Sequence, residues 1–252
     1  MDSSMNGGCG AAGVPGAASA TLMMLLADAR LPAGAHVSSN SVEAGLRQDL
    51  TPAEVPAYMR ARMRTVVRVE AGAAVVTHHA VRSAGAGTDE HPDLAQALES
   101  ITEEWAARTP SPALREIAEV LGAGLRRVAV VLWPQLAGVL PRRGCPRPLV
   151  LGAIAAVAEV SAADLVRIVA YDDAQTVAYD DAQTVAAATL KLEPMDPIRA
   201  TGWVLGACTA IECFVADLAT LTVPAAIPAA GAPLIEDWAE VQSALPRRLF
   251  RA

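Results

Sequence analysis

Apolar residues return every three or four positions along almost the whole chain. Leu114, Ile117, Leu121, Leu125, Val128 and Leu132 keep this spacing, as do Ile211, Phe214, Val215, Leu218 and Leu221. That period lays an apolar stripe along one side of a helix. No run alternates apolar and polar residues over the length of a strand, so the pattern predicts an all-α protein. Helix-start chemistry points the same way. Thr51-Pro52-Ala53-Glu54 reads as a capping box with proline in the first turn. Ser111-Pro112 and Asp196-Pro197 repeat the cap-then-proline device, and Ser161 with Asp164 is a weaker version of it. Helices are expected near 17–29, 38–48, 52–83 with a break around Gly72, 92–108, 112–132, 148–159, 161–190, 197–221 and 234–244. That makes about eight to nine helices.

The connectors between them are short. Residues 84–91, 133–147 and 222–233 are rich in Gly, Pro or Ala, and none is long enough to separate two domains. A single helical domain over 19–244 is expected, preceded by a disordered Gly/Ala-rich tail (1–18) and followed by a flexible C-terminal tail (245–252). One anomaly interrupts the pattern. The octapeptide running from Tyr171 to Ala178 is repeated at once over 179–186. Eight helical residues turn the pattern about 80° beyond two full turns, so an extra copy must be absorbed by a bulge or by a longer exposed helix. Its acid pairs read as a solvated acidic face, because Asp173 and Asp180 lie about 10 Å apart along a helix axis, too far to share one ion.

Composition narrows the chemistry. Of 252 residues 53% are hydrophobic but only 4% aromatic, a content suited to closely packed helices. The net charge of -7 argues against nucleic acid. Lys191 is the single lysine and has no glycine-rich loop before it, which removes the phosphate-binding loop. The first arginine is Arg30, so the apolar stretch 17–27 lacks the basic segment of a signal peptide. The apolar stretches 148–170 and 200–221 carry Glu159, Asp164 and Arg167, and Glu212 and Asp217. A cytoplasmic protein without a membrane span is expected.

Candidate chemistry is sparse. Serine-hydrolase, zinc-protease and dinucleotide-binding motifs are absent. His78 and His79 point about 100° apart on a helix, so they cannot chelate one ion unaided; they read as surface residues, with a site shared across a subunit interface as the alternative. Cys9, Cys145, Cys208 and Cys213 form no CxxC pair and read as small buried apolar residues. Arg60, Arg64 and Arg68, with Arg62 nearby, form a basic stripe that is either a solvated face or a dock for an acidic protein. The tail Arg247, Arg248, Leu249, Phe250, Arg251 places one aromatic among cations; a frayed terminus and a segment that orders on a partner both fit it. The loop 30–43 is the most particular segment. Pro32 and Gly34 fix a turn, and His36, Ser38, Ser39, Asn40 and Ser41 gather polar groups ahead of Glu43. Capping by Ser38 or Ser39 explains part of this density. An acid–base pair of His36 with Glu43 is the enzymatic alternative, but no nucleophile or cofactor motif accompanies it.

Leu26-Ala27-Asp28-Ala29-Arg30-Leu31-Pro32-Ala33-Gly34-Ala35-His36, with Ser38, Ser39, Ser41 and Glu43 behind it, resembles the N-terminal signature of the urease accessory protein UreF family. The closing Arg248-Leu249-Phe250-Arg251-Ala252 is similar to that family's C-terminal end, and the Trp133-Pro134 and Lys191-Leu192-Glu193-Pro194 segments also match in order. Ala29, Ala35, His36 and Ala252 depart from its commoner residues. The resemblance implies an all-helical homodimer that is not an enzyme. It implies a chaperone or scaffold that binds UreD (UreH), recruits and regulates the GTPase UreG, and supports nickel insertion into apo-urease. No cofactor of its own is then expected, nickel and GTP being handled by the partners. His36, Ser38, Ser39 and Glu43, together with Arg248, Leu249 and Phe250, become the candidate partner-binding residues, with Phe250 as the buried anchor. No catalytic or metal-ligating residue is assigned. A helical interaction module unrelated to metal delivery is the alternative from another class.

Overall fold

A computed structural model describes residues 17–28, 31, 40–85, 92–189 and 197–245. These residues contain α-helices, one short 3-10 turn and no strand. In chain order the helices are α1 (Ala17–Leu26), α2 (Val42–Arg47), α3 (Val55–Arg64), α4 (Val66–Ala84), α5 (Pro92–Ala107), α6 (Pro112–Leu132), α7 (Leu136–Val139), α8 (Arg147–Val157), α9 (Ala162–Thr189), α10 (Pro197–Leu218) and α11 (Pro233–Ala244). The all-α expectation therefore holds.

The centre of the fold is α4, which packs against α3, α5, α8, α9 and α10. Its buried run Ala71, Gly72, Ala73, Ala74 is short enough in side chain for neighbours to approach closely. The approach is closest at α8: a Cβ on Gly152 would lie 2.2 Å from the Ala74 carbonyl oxygen, so the α4 and α8 backbones touch. Gly122 does the same for α6, where a Cβ would meet the Cys145 carbonyl oxygen at 2.0 Å. On the outside, α10 lies along α9 and α3, while α11 closes the structure by packing on α2 and α6.

Local chemistry explains most boundaries. Ser111 accepts a hydrogen bond from the Leu114 amide at 3.1 Å with Pro112 at the first helical position, and Ser161 accepts from the Asp164 amide at 3.1 Å. Thr51 is different. Its amide and hydroxyl both donate to Glu54 Oε2, at 2.9 and 2.7 Å, so residues 52–54 close a turn and α3 begins only at Val55. The break expected at Gly72 occurs instead at Thr65, between α3 and α4. Gly72 is a packing glycine, since a Cβ there would stand 2.6 Å from Pro228 Cδ. The start expected at 38 falls at Val42, and the 133–147 connector holds the short helix α7. The backbone of α9 runs without a bulge through both octapeptide copies, so the duplication is taken up as a longer helix.

Candidate functional site

Beneath the segment that begins at Asn40 lies a set of charges contributed by four helices, with an indole from a fifth. Asp172 and Asp173 are adjacent on α9 and so point about 100° apart. Asp173 faces α3, where Arg62 Nη2 donates to its Oδ1 at 2.5 Å and Arg62 Nε to its Oδ2 at 3.1 Å. Asp172 faces α8 and pairs with Arg147 Nη2 at 2.9 Å. Glu70 on α4 accepts from the indole Nε1 of Trp105 on α5 at 2.7 Å. The five charged groups border a cavity of about 90 Å³ whose far wall is the apolar face of α6, from Leu114 to Leu121. Arg147 Nη1 is buried there without a hydrogen-bond partner.

The same charges hold the backbone of the polar loop's final turn. Tyr58 Oη donates to the Asn40 carbonyl oxygen, as does Arg62 Nη1 at 3.2 Å, and Asn40 Nδ2 donates to Asp173 Oδ1 at 3.0 Å. Asn40 and Ser41 sit in the left-handed region, with φ of 50° and 67°. Non-glycine residues adopt that conformation when their surroundings over-determine it, and here two donors and an acceptor do so. Burial alone would favour an uncharged Arg62, but Asp173 and then Tyr58 hold its pKa above the ordinary arginine value. Burial raises Asp172, against the pull of Arg147. Glu70 is pushed up to about 7, mainly by burial.

Glu43 is also inside the fold, 1% exposed. Its Oε1 accepts from Arg47 Nη2 at 2.7 Å and its Oε2 from Gln242 Nε2 at 2.7 Å. The carboxylate thus ties α2 to the last turn of α11, a few residues before the tail. His36, Ser38, Ser39, Arg248, Leu249 and Phe250 lie outside the described residues, as do 1–16.

Several expectations change. The first-copy acids Asp172 and Asp173 are ion-paired within the core and not a solvated face. Arg62 belongs to the interior, whereas Arg60 and Arg64 are exposed and Arg68 stacks on Phe214 with its guanidinium carbon 4.2 Å from the ring centre. His78 is buried and donates from Nε2 to the Val160 carbonyl oxygen at 3.0 Å; burial lowers its pKa, while His79 is on the surface. Cys145 is buried and its thiol pushed up to about 12, Cys208 is half-buried and Cys213 is exposed. Among the described residues, no three His, Cys, Asp or Glu side chains are placed to hold a metal ion. Sequence reasoning missed Glu70, Trp105 and Arg147. Their partners lie on other helices, and no spacing along the chain announces them.

Comparison with known proteins places this geometry. Residues 50–207 match the profile of the UreF family, a span that includes Tyr58, Arg62, Glu70, Trp105, Arg147, Asp172 and Asp173. The urease accessory protein UreF of Mycolicibacterium vanbaalenii is 38% identical over 117 residues, covering 45% of this chain and 49% of that one. The protein of the same name from Mycobacterium sp. (strain JLS) is 33% identical over 153 residues, 60% of this chain and 66% of that one. That of Mycobacterium marinum is 36% identical over 118 residues, 45% and 48% of the two chains. The matched region thus spans between about half and two thirds of these relatives' lengths.

Proposed function

Because this chain belongs to the UreF family, we propose that it serves urease maturation as a non-catalytic scaffold, binding UreD and recruiting UreG for nickel insertion into apo-urease. The family match over residues 50–207 is the observation that carries this reading. The chemistry is compatible with it. Most charges of the hub are paired with one another: Arg62 with Asp173 and Arg147 with Asp172, while Glu43 is held by Arg47 and Gln242. Such pairs fix helices relative to each other. Nickel is cargo and GTP is the substrate of UreG; the chain needs no resident cofactor, and it works as a homodimer.

Two segments meet the partners. The 36–43 segment ends on Asn40 and Glu43, which the fold clamps from α3, α9 and α11. The C-terminal tail leaves α11 just beyond Gln242, the residue bonded to Glu43. His36, Ser38 and Ser39 are the proposed contacts of the first segment with UreD or UreG, and Arg248, Leu249 and Phe250 those of the tail with UreD. Glu43 contributes by holding α2 against α11. Phe250 is the apolar anchor and Arg248 a charge-assisted contact. Co-expression with UreD and UreG tests the reading. The full chain is expected to co-purify with both, and removal of residues 245–252 to abolish the complex while leaving the helical circular dichroism unchanged. An undiminished complex after truncation contradicts the role of the tail, and no complex with the full chain contradicts the scaffold reading.

A further inference from the structure

Between α3 and the start of α11 lies an open groove of about 570 Å³. Its floor is apolar, made by Leu50 and by the rings of Tyr58 and Trp238, whose centres are 5.6 Å apart. One wall is α3, where Ala57 and Ala61 are exposed and too small to fill the space. The other is α11, where Leu234 is 59% exposed. The rim is acidic. Asp49 and Glu54 both line the groove and are exposed, and neither forms an ion pair with another described residue. Hydrogen bonds from Thr51 lower the Glu54 pKa and so keep it charged. Asp237 is exposed on the adjoining flank of α11, while Arg60 and Arg64 lie on α3 outside the groove lining. An apolar recess with an acidic rim suits an apolar side chain carried among cations.

The chain's own tail has that composition. Arg247, Arg248, Leu249, Phe250 and Arg251 hold three cations, one aromatic ring and no acid. The tail also starts in the right place. Leu234, Trp238, Val241 and Leu245 are four, three and four residues apart, so one stripe of α11 runs from the groove to the point where the tail leaves. Leu245 is already extended, with φ −63° and ψ 126°, and the proline after it cannot resume the helix. Measured along the helix axis, Trp238 lies about 10 Å and Leu234 about 16 Å back from Leu245. Five extended residues span about 16–18 Å. Phe250 therefore reaches the floor at Trp238 with slack, and the wall at Leu234 when nearly taut. Three arginines then face Asp49, Glu54 and Asp237. A segment tethered this closely acts at an effective concentration on the order of millimolar, an advantage that no separate protein shares.

From this reach and complementarity we infer that the groove between α3 and α11 is a dock for the chain's own C-terminal tail, with Phe250 over the Tyr58–Trp238 floor and the arginines along its acidic rim. The functional consequence rests on the reading of Phe250 as the anchor for UreD. One side chain cannot occupy two sites, so the docked tail is held back until UreD displaces it. A dock of about 0.1 mM intrinsic affinity is then filled about ten times out of eleven. The apparent affinity for UreD falls by about the same tenfold factor.

Thiol alkylation tests the dock in the full chain carrying Leu234→Cys, with Cys9, Cys208 and Cys213 changed to serine and the buried Cys145 retained. The introduced thiol is expected to react roughly tenfold more slowly than in the same chain with Phe250→Asp added, at any protein concentration. Val223→Cys, at a position 53% exposed and outside the groove, is expected to react alike in both backgrounds. Equal rates at position 234 in the two backgrounds overturn the dock. Protection that grows with protein concentration overturns its assignment to the chain's own tail. A change at 223 as large as that at 234 means that the whole fold has loosened, and overturns it too. In a second measurement, Leu234→Asp is expected to bind UreD roughly tenfold more tightly than the parent, and an unchanged affinity overturns the competition. Absence of any complex with UreD overturns the scaffold reading instead, and leaves standing the alkylation result, which is obtained on the chain alone.

Discussion

Glu70→Gln isolates the one carboxylate that the buried hub leaves without a positive charge of its own. Arg62 is matched by Asp173 and Arg147 by Asp172, so an ionised Glu70 adds an uncompensated charge to the interior. Burial dominates its pKa, lifting it from 4.5 to about 7; Asp173 adds to the rise, while the Trp105 hydrogen bond, Arg62 and Arg147 oppose it. A raised carboxyl pKa means that the folded state holds the proton more tightly than the unfolded chain. The resulting stabilisation is complete below pH 4.5 and is lost as pH rises through about 7. From that interval the folded protein loses about 1 kcal/mol by pH 5 and about 3 kcal/mol by pH 8. Glutamine keeps an oxygen for the Trp105 indole and never ionises, so the variant escapes the loss. Each kcal/mol shifts the melting temperature of a domain this size by roughly 2–4 °C. Melts followed by circular dichroism should therefore show the variant gaining roughly 4–8 °C on the parent between pH 5 and pH 8. Parallel melting curves across that range would refute the assignment of Glu70 as the odd charge.

Three further substitutions probe the same framework. Asp173→Ala strands Arg62, whose side chain is 3% exposed, and should cost about 3–5 kcal/mol in urea unfolding; a loss below about 1 kcal/mol would contradict the hub. Gly152→Ala forces a methyl into the space within 2.2 Å of the Ala74 carbonyl oxygen and should lower stability by about 1–3 kcal/mol, whereas an unchanged melting temperature would mean that α4 and α8 separate freely. Deleting one octapeptide copy leaves one acid pair to meet Arg62 and Arg147 and is expected to preserve the helical spectrum and the melting temperature. A markedly lower melting point would show that both copies support the fold.

The helical class was readable because each long helix buries a stripe, and a stripe is a property of spacing along one segment. The serine caps at Ser111 and Ser161 were readable for the same reason, their partners being three residues away. Gly72 misled because helix propensity suggests a weak point, whereas the residue is required small by Pro228, which arrives from the far end of the chain. His78 and Asp173 misled in a related way. Each is polar and sits in a polar-looking stretch, but its partner, Val160 in one case and Arg62 in the other, is 82 or 111 residues distant. The loop at 30–43 stood out by its density of polar groups, and the buried reason for part of it, the clamp on Asn40, appears only when α3 and α9 are brought together.

The central claim is that the chain enables metal loading of another protein and catalyses nothing itself. Its most direct test is the nickel content of urease purified from cells that lack this chain, measured by inductively coupled plasma mass spectrometry beside the parent strain. The account predicts urease polypeptide at ordinary abundance with its nickel largely missing, restored when the full-length chain is supplied. Urease carrying its full nickel complement in the absence of the chain would contradict it.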